Sequence, residues 1–301
     1  MKNLLICMLS FLLVSNLFSA SKKTAWERYG LKGKVKTGIS TLYSVANKSG
    51  KESREIIDKS IYKYDDKGNN IQYVRYNADG VLSEMVIYKY DDKGNAVEET
   101  NYNGDGDLTE KFVSKRDDKG TLSERKRYDA TGDLLDKCLF KSDDNGNIVE
   151  VEVFNGKSVL SSRSVSKFDP SGNLIETEMF NSKGVYDRKT ISKYDDKGRE
   201  IEKTRYKAGG AFEFRYISRY DDKRNEKDEE LYEADGTLWS KAVSKYDDKR
   251  NLTEYVQYNA DGTLKGKYLY KYDEEGNRIE DAAYDEKATL IKITISSYTY
   301  Y

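Results

Sequence analysis

A fixed phase limits this chain more than any other feature. The string Tyr-Asp-Asp-Lys-Gly-Asn that starts at Tyr64 returns at Tyr90 and, ending in Arg199, at Tyr194. Looser copies start at Arg116, Ser142, Phe168, Tyr220, Tyr246 and Tyr272. Every interval is a multiple of 26 residues without insertion or deletion, and one further step reaches Tyr298. A second motif lies twelve residues into the unit: YNADG at Tyr76, YNGDG at Tyr102, YDATG at Tyr128, YEADG at Tyr232 and YNADG at Tyr258. Nine units fill residues 64–297, and turns 12 and 14 residues apart leave no room for a helix of ordinary length.

Both motifs have the chemistry of a type I turn closed by a residue at positive φ. Asp or Asn comes first, two permissive residues follow, and Gly ends the turn. Pro170, the one proline of the chain, falls at the second turn position of DPSG, where a φ near −65° is wanted. Arg224 and Arg250 break the rule by replacing Gly. Either Arg takes the left-handed conformation, or Asn225 and Asn251 take it instead.

The 8- to 10-residue segments between turns are rich in Val, Ile, Thr and Tyr, which favours strands. A bulge at each Gly sets Tyr76 opposite Leu82, Tyr258 opposite Leu264, Ile71 opposite Ile87 and Ile279 opposite Ile295. A two-residue turn pairs Glu98 with Lys111 and Glu124 with Lys137, which is also chemically reasonable. The bulged register is preferred because it places apolar beside apolar. One face then carries the aromatic residue before each turn with the Leu after the second turn. The other carries Ile71, Ile87, Val97 and Val113 flanked by Lys. Neither face is wholly apolar. The expectation is an all-β, elongated antiparallel hairpin array, meander- or solenoid-like, of nine 26-residue repeats. About 20 strands would extend roughly 95 Å if the sheet stayed open.

The domain plan has three parts. Residues 1–20 read as a secretory signal peptide: Lys2, an apolar run from Leu4 to Val14, and Ser19-Ala20 before the charged SKK. Cys7 goes with that peptide, and Cys138 is left as a small buried apolar residue. Residues 21–63 form an N-terminal capping β segment, and residues 64–301 form the repeat domain, whose end, ATLIKITISSYTYY, closes or caps the last sheet edge.

The string Y-D-x-x-G-[N/R]-x-[I/V] at fixed spacing resembles bacterial YD repeats, also called RHS repeats. It is carried by Tyr64, Asp65, Gly68, Asn69 and Ile71, and by Tyr194, Asp195, Gly198, Arg199 and Ile201. The resemblance implies an exported or surface β-repeat structure without catalytic residues. Large members of that family enclose a toxin domain. This chain has no toxin-like C-terminal segment, so that role does not carry over.

Composition excludes several classes. The 52 Lys and Arg against 53 Asp and Glu give no cationic surplus for phosphate, so no nucleic-acid partner is expected. The chain has no His, which removes the usual base of nucleophile pairs and the usual metal ligand. Paired carboxylates such as Asp65 and Asp66 recur in most units, unlike an active site, so no enzyme and no cofactor are expected.

Three features are left as candidates. The aromatic column Tyr76, Tyr102, Tyr128, Phe154, Phe180, Tyr206, Tyr232, Tyr258 and Tyr284 is suited to stacking on sugar rings, although packing against the neighbouring Leu explains it more simply. The cationic column Lys63, Lys89, Lys115, Lys141, Lys167, Lys193, Arg219, Lys245 and Lys271 is better read as solvated surface than as a polyanion site. The segment Asn101 to Leu108 has alternating oxygen ligands and a well-placed Gly106, but Phe112 stands where a calcium loop needs Glu, so a turn is expected and no metal. An outer-membrane barrel is rejected, because Lys shares a face with the aliphatic residues in KAVSKY and KTISKY. The function expected is a non-enzymatic exported scaffold or binding protein of the cell envelope, in the periplasm, on the outer surface or outside the cell. Its partner is an unknown protein or polysaccharide. The alternative is a glycan or cell-wall polymer module using the aromatic ladder.

Overall fold

Each Tyr-Asp turn is built by its own side chains. Asp65 Oδ1 accepts from the backbone N–H of Lys67 at 3.0 Å and of Asn69 at 2.8 Å, and Asn69 Nδ2 donates to Asp65 Oδ2 at 2.9 Å. Gly68 supplies the positive φ of 87° that ends the turn. The Tyr of the motif has a separate task. Its hydroxyl donates to a backbone carbonyl 20 residues upstream, from Tyr90 to Asn70 O at 2.7 Å, from Tyr220 to Glu200 O at 2.8 Å and from Tyr272 to Leu252 O at 2.8 Å. The repeated string is thus a turn cap plus a latch on the preceding unit. Arg250 itself takes the left-handed conformation, at φ 68°, as do Ser158 and Ala288 in the same role.

The computed structural model describes residues 24–48, 51–221 and 226–301. The expected signal peptide, Cys7 and the Arg224/Asn225 question lie outside the described residues. Twenty strands follow one another in a single antiparallel meander. The first are β1 (Val35–Lys48) and β2 (Lys51–Tyr64), both 14 residues long, then β3 (Asn70–Asn77) and β4 (Leu82–Tyr90). The last, β20 (Leu290–Tyr300), pairs with β1 from Val35 opposite Tyr300 to Ser44 opposite Lys292. The sheet is therefore a closed barrel, not the open, elongated array expected. At ~4.8 Å per strand, twenty strands give a contour of about 96 Å, or a ring roughly 30 Å across if circular.

Closure follows from the bulges. Tyr76 does face Leu82 and Tyr258 does face Leu264, but the next pair is Arg75 with Glu84, so Ser83 is an extra residue. The pairing then runs Gln72 with Ile87, not Ile71, and Glu280 with Ile295, not Ile279. The two-residue alternative also fails, since Thr100 faces Lys111 and Lys126 faces Lys137. The same slip recurs beside each Tyr-Asp turn, where Ile71 is passed over between Asn70 and Gln72. Each bulge bends and twists its strand, and one bulge per connection repeated around the sheet brings its ends together. The slip also reassigns the faces. The Tyr-Asp residues Tyr64 and Tyr90 lie on one face, while the ladder residues Tyr76 and Tyr102 share the other with Ile87 and Val113.

A short segment fastens the seam. Helix α1 (Ala25–Arg28) is opened by a capping box between Thr24 and Glu27. Trp26 Nε1 donates to Val35 O at 2.8 Å, and Trp26 N donates to Gly68 O at 3.2 Å. The Trp26 ring lies so close over Gly68 that a Cβ there would stand 2.5 Å from it. On the other side of the seam, Asn277, 1% exposed, accepts from Lys32 N and donates to Lys32 O and Tyr300 Oη. Ala25, Val35 and Tyr64 form a buried apolar cluster, with Trp26, Leu31 and Tyr298 packed on it.

The face that carries Tyr64 and Tyr90 is the concave one. Side chains from strands two apart meet on it, as Arg125 with Glu99 at 3.1 Å and Tyr255 with Glu229 at 3.0 Å. On the opposite face the ion pairs among the described residues lie within a strand or join adjacent strands, and Lys89, Lys115, Lys167, Lys193, Lys245 and Lys271 spread outward, 63–68% exposed.

Candidate functional site

Most rows of the outer face repeat from unit to unit. One row is aliphatic throughout: Ile61, Ile87, Val113, Leu139, Val165, Ile191, Ile217, Val243, Leu269 and Ile295. The cationic column stands opposite an acidic row and is neutralised by it, not by the turn carboxylates. Glu98 lies between Lys89 at 2.7 Å and Lys111 at 2.6 Å, and Glu254 between Lys245 at 2.6 Å and Lys267 at 2.9 Å. Hydrogen bonds from Lys111 and Lys89 hold the Glu98 carboxyl below its ordinary range, and Arg219 pushes Glu230 down to about 2.

The sequence candidates Tyr76, Tyr102, Tyr128, Tyr206, Tyr232 and Tyr258 all lie on this outer face and are half-buried. Each stands across a bulged pair from the apolar residue after its turn. Where that residue is aromatic the rings meet edge to face, Tyr206 with Phe212 and Phe180 with Tyr186, both at 6.2 Å. A cation from the preceding strand also covers Phe180 and one further ring: Arg163 lies 5.8 Å from the centre of Phe180, and Lys137 Nζ lies 5.1 Å from that of Phe154. The proposed calcium segment is a hairpin turn in which Asn103 Oδ1 accepts from Asp105 N at 3.0 Å and Asp107 N at 2.9 Å.

Beside the repeated latch tyrosines, several rows of the inner wall change from unit to unit. One row reads Tyr73, Glu99, Arg125, Val151, Thr177, Lys203, Glu229, Tyr255 and Asp281, and another reads Asp58, Glu84, Glu110, Asp136, Ser162, Arg188, Phe214, Ser240, Gly266 and Lys292. These positions face inward by the strand pairing. The sequence reading missed them; the available signal was that residue type changes along these phases of an otherwise regular unit.

Two unit-specific clusters result. The first spans β5 (Ala96–Asn103) to β8 (Leu134–Ser142). Arg125 pairs with Glu99 and lies 4.4 Å over the Phe112 ring, while Arg127 joins Glu110 at 3.1 Å and Asp136. Burial pushes Glu99 up despite Arg125, and burial raises the neighbouring Tyr88 strongly. Arg116 takes the place of a latch Tyr. It donates to Gly120 O at 3.0 Å, its Nε is buried without a hydrogen bond, and burial lowers its pKa.

The second cluster spans β15 (Glu226–Tyr232), β16 (Leu238–Tyr246), β17 (Leu252–Asn259), β18 (Leu264–Tyr272) and β19 (Arg278–Tyr284). Tyr255 and Tyr268 stand opposite each other with ring centres 6.2 Å apart, and Gln257 faces Gly266. Burial raises the Asp281 carboxyl, although Arg278 lies 3.5 Å from it. Among the described residues no group of three or more acidic or Cys side chains is placed to hold a metal ion.

No family model matches the chain, and no curated protein matches it. Solved structures align with it at low similarity. A porin-like protein from Bacteroides uniformis is 8% identical with a TM-score of 0.39, covering 87% of this chain and 97% of its own. A DUF1329 family protein from Desulfovibrio piger is 10% identical with a TM-score of 0.26, covering 87% and 84%. A chain of the TcdB2-TccC3-Cdc42 structure is 13% identical with a TM-score of 0.26, covering 77% of this chain and 16% of its own. These likenesses are too distant to assign function. The expected membership of the YD (RHS-like) repeats is corrected: no family model matches the chain, and its strands close into a barrel instead of forming the open repeat array expected. The repeated string is accounted for by the turn cap and the latch.

Proposed function

We propose that this chain is a non-enzymatic, exported binding barrel of the bacterial cell envelope, with its ligand surface on the inner wall. One observation carries the reading. Units identical in length and turn chemistry repeat most of their outer rows, whereas inside only the latch row recurs regularly and the rows of Tyr73, Asp58 and Tyr268 change along the barrel. Positions that only hold a barrel together tolerate one solution repeated, whereas a ligand surface is specific to its place. The lack of His and the recurrence of the paired carboxylates support a binding role over catalysis.

The barrel stands in water and not in lipid. No helix among the described residues is long and apolar enough to cross a membrane. The outer face sets a Lys or Arg and a carboxylate on nearly every strand pair, and at about 2–4 kcal/mol for each mid-bilayer cation that face is incompatible with lipid contact. Expressed with its leader, the protein should appear in the soluble periplasmic or culture fraction. Recovery as a detergent-requiring outer-membrane protein would overturn the reading. Cys138, on the inner wall and partly exposed, reports the lumen directly. N-ethylmaleimide should modify it in the folded protein, and complete protection until unfolding would show a filled interior. The outer ladder is the alternative ligand surface.

A further inference from the structure

Within that reading, the inner wall over β17 to β19 has the properties of a specific site. Tyr268 is 38% exposed, although an aromatic ring on a sheet is ordinarily covered by its neighbours. The cause is local. Across the strand from Tyr268 stands Ala283, whose side chain is too small to cover the ring, while Gly266, two residues before Tyr268, is itself buried and adds no side chain of its own. At the same phase other units carry Phe112, Tyr216 and Thr294, and the Gly266 position is Glu84, Asp136 or Arg188 elsewhere. The depression belongs to this place in the barrel alone.

Polar groups border it in an ordered relay. Gln257 Nε2 donates to Tyr255 Oη at 3.4 Å, and Tyr255 Oη donates to Glu229 Oε2 at 3.0 Å across the small Ala242. The Glu229 carboxylate and the Gln257 carbonyl keep acceptor capacity beyond these bonds. On the far side Lys292, opposite Ala283, is exposed on the same wall. An open ring face, a fixed row of donors and acceptors, and carboxylates balanced by cations suit an uncharged ring that is apolar on one face and hydroxylated at its edge. We infer that this depression binds a pyranose unit of a neutral saccharide, with the sugar's C–H face on Tyr268 and its hydroxyls on Gln257 and Glu229. The ladder outside has no equivalent opening, because each of its rings is met by the residue after the turn.

Calorimetric titration of the folded chain with the neutral hexasaccharides cellohexaose, maltohexaose and chitohexaose tests this. Binding of at least one is expected. Tyr268→Ala should weaken it tenfold or more, Tyr268→Phe should keep it within about threefold, and Trp239→Ala, an exposed outer aromatic, should leave it unchanged. If Tyr268→Ala fails to fold, Ala283→Leu places a larger side chain beside the ring with Tyr268 intact and should abolish binding. Failure of all three sugars to bind, or loss of binding through Trp239 with Tyr268 dispensable, overturns the inference. The maleimide reaction of Cys138 separates the two levels. A reactive Cys138 without sugar binding removes the saccharide and keeps the hollow barrel, and a protected Cys138 removes both.

Discussion

The outer face and the inner wall of this barrel are made by the same strands and obey different rules. Outside, aliphatic, basic, acidic and aromatic rows recur with the 26-residue period, and their ion pairs stay within a strand or reach the next one. Inside, charge and size change along the rows of Tyr73, Asp58 and Tyr268, and contacts reach two strands away. Regularity is therefore the mark of what holds the ring together. Irregularity within a regular frame marks what distinguishes one place on the ring from another.

Paired truncations give the sharpest way to break that comparison. Tyr258→Ala outside removes a half-buried ring from a packed row and should cost about 2 kcal/mol in urea unfolding. Tyr268→Ala inside, where the ring borders Ala283 and Gly266, should cost under about 0.5 kcal/mol. Equal costs would mean that both faces are structural. The latch gives a smaller effect. Tyr220→Phe keeps the ring and loses only the bond to Glu200 O, so about 1 kcal/mol is expected, with the fold unchanged by circular dichroism. The smallest single-group effects are those of pH, and their sign differs between the faces. Outer carboxylates such as Glu98 and Glu230 have lowered pKa values. Their stabilisation is complete above the unfolded value near 4.5 and is lost as pH falls toward 2. Glu99 and Asp281 inside are raised by burial, so their contribution is present at low pH and lost as pH rises through their folded values. Because the lowered group is larger, unfolding midpoints should be flat above about pH 5 and fall below pH 4.5. A midpoint that rises on acidification would show the inner carboxylates to dominate.

Strand content, repeat length, both turns and the Tyr76–Leu82 pair were legible in the sequence, because Gly, Asp and Asn at fixed phase determine local backbone geometry. Closure was not. It rests on one extra residue per connection, and Ser83 or Ile71 looks like any other strand residue until the pairing is seen. The slip is also why the faces were misassigned, since moving the register by a single residue sends Ile87 to the side of Tyr102. The Tyr-Asp tyrosines read as a family signature, yet their role is a bond over 20 residues that no local pattern announces. The inner cluster was hidden for a different reason. Repeat comparison looks for what recurs, and Tyr268, Gly266 and Glu229 are informative because they do not.

The seam has a consequence for biogenesis. Tyr301 donates its hydroxyl to Tyr64 O at 2.5 Å, and its N–H bonds to Lys34 O at 2.9 Å. Neighbouring hairpins can zip up locally, but β1 and β20 stay unpaired margins until they meet, and such margins recruit other chains. The folding sheet is exposed to aggregation until the ring closes. Deleting β20 should yield an insoluble or proteolysed product even though the other hairpins are intact.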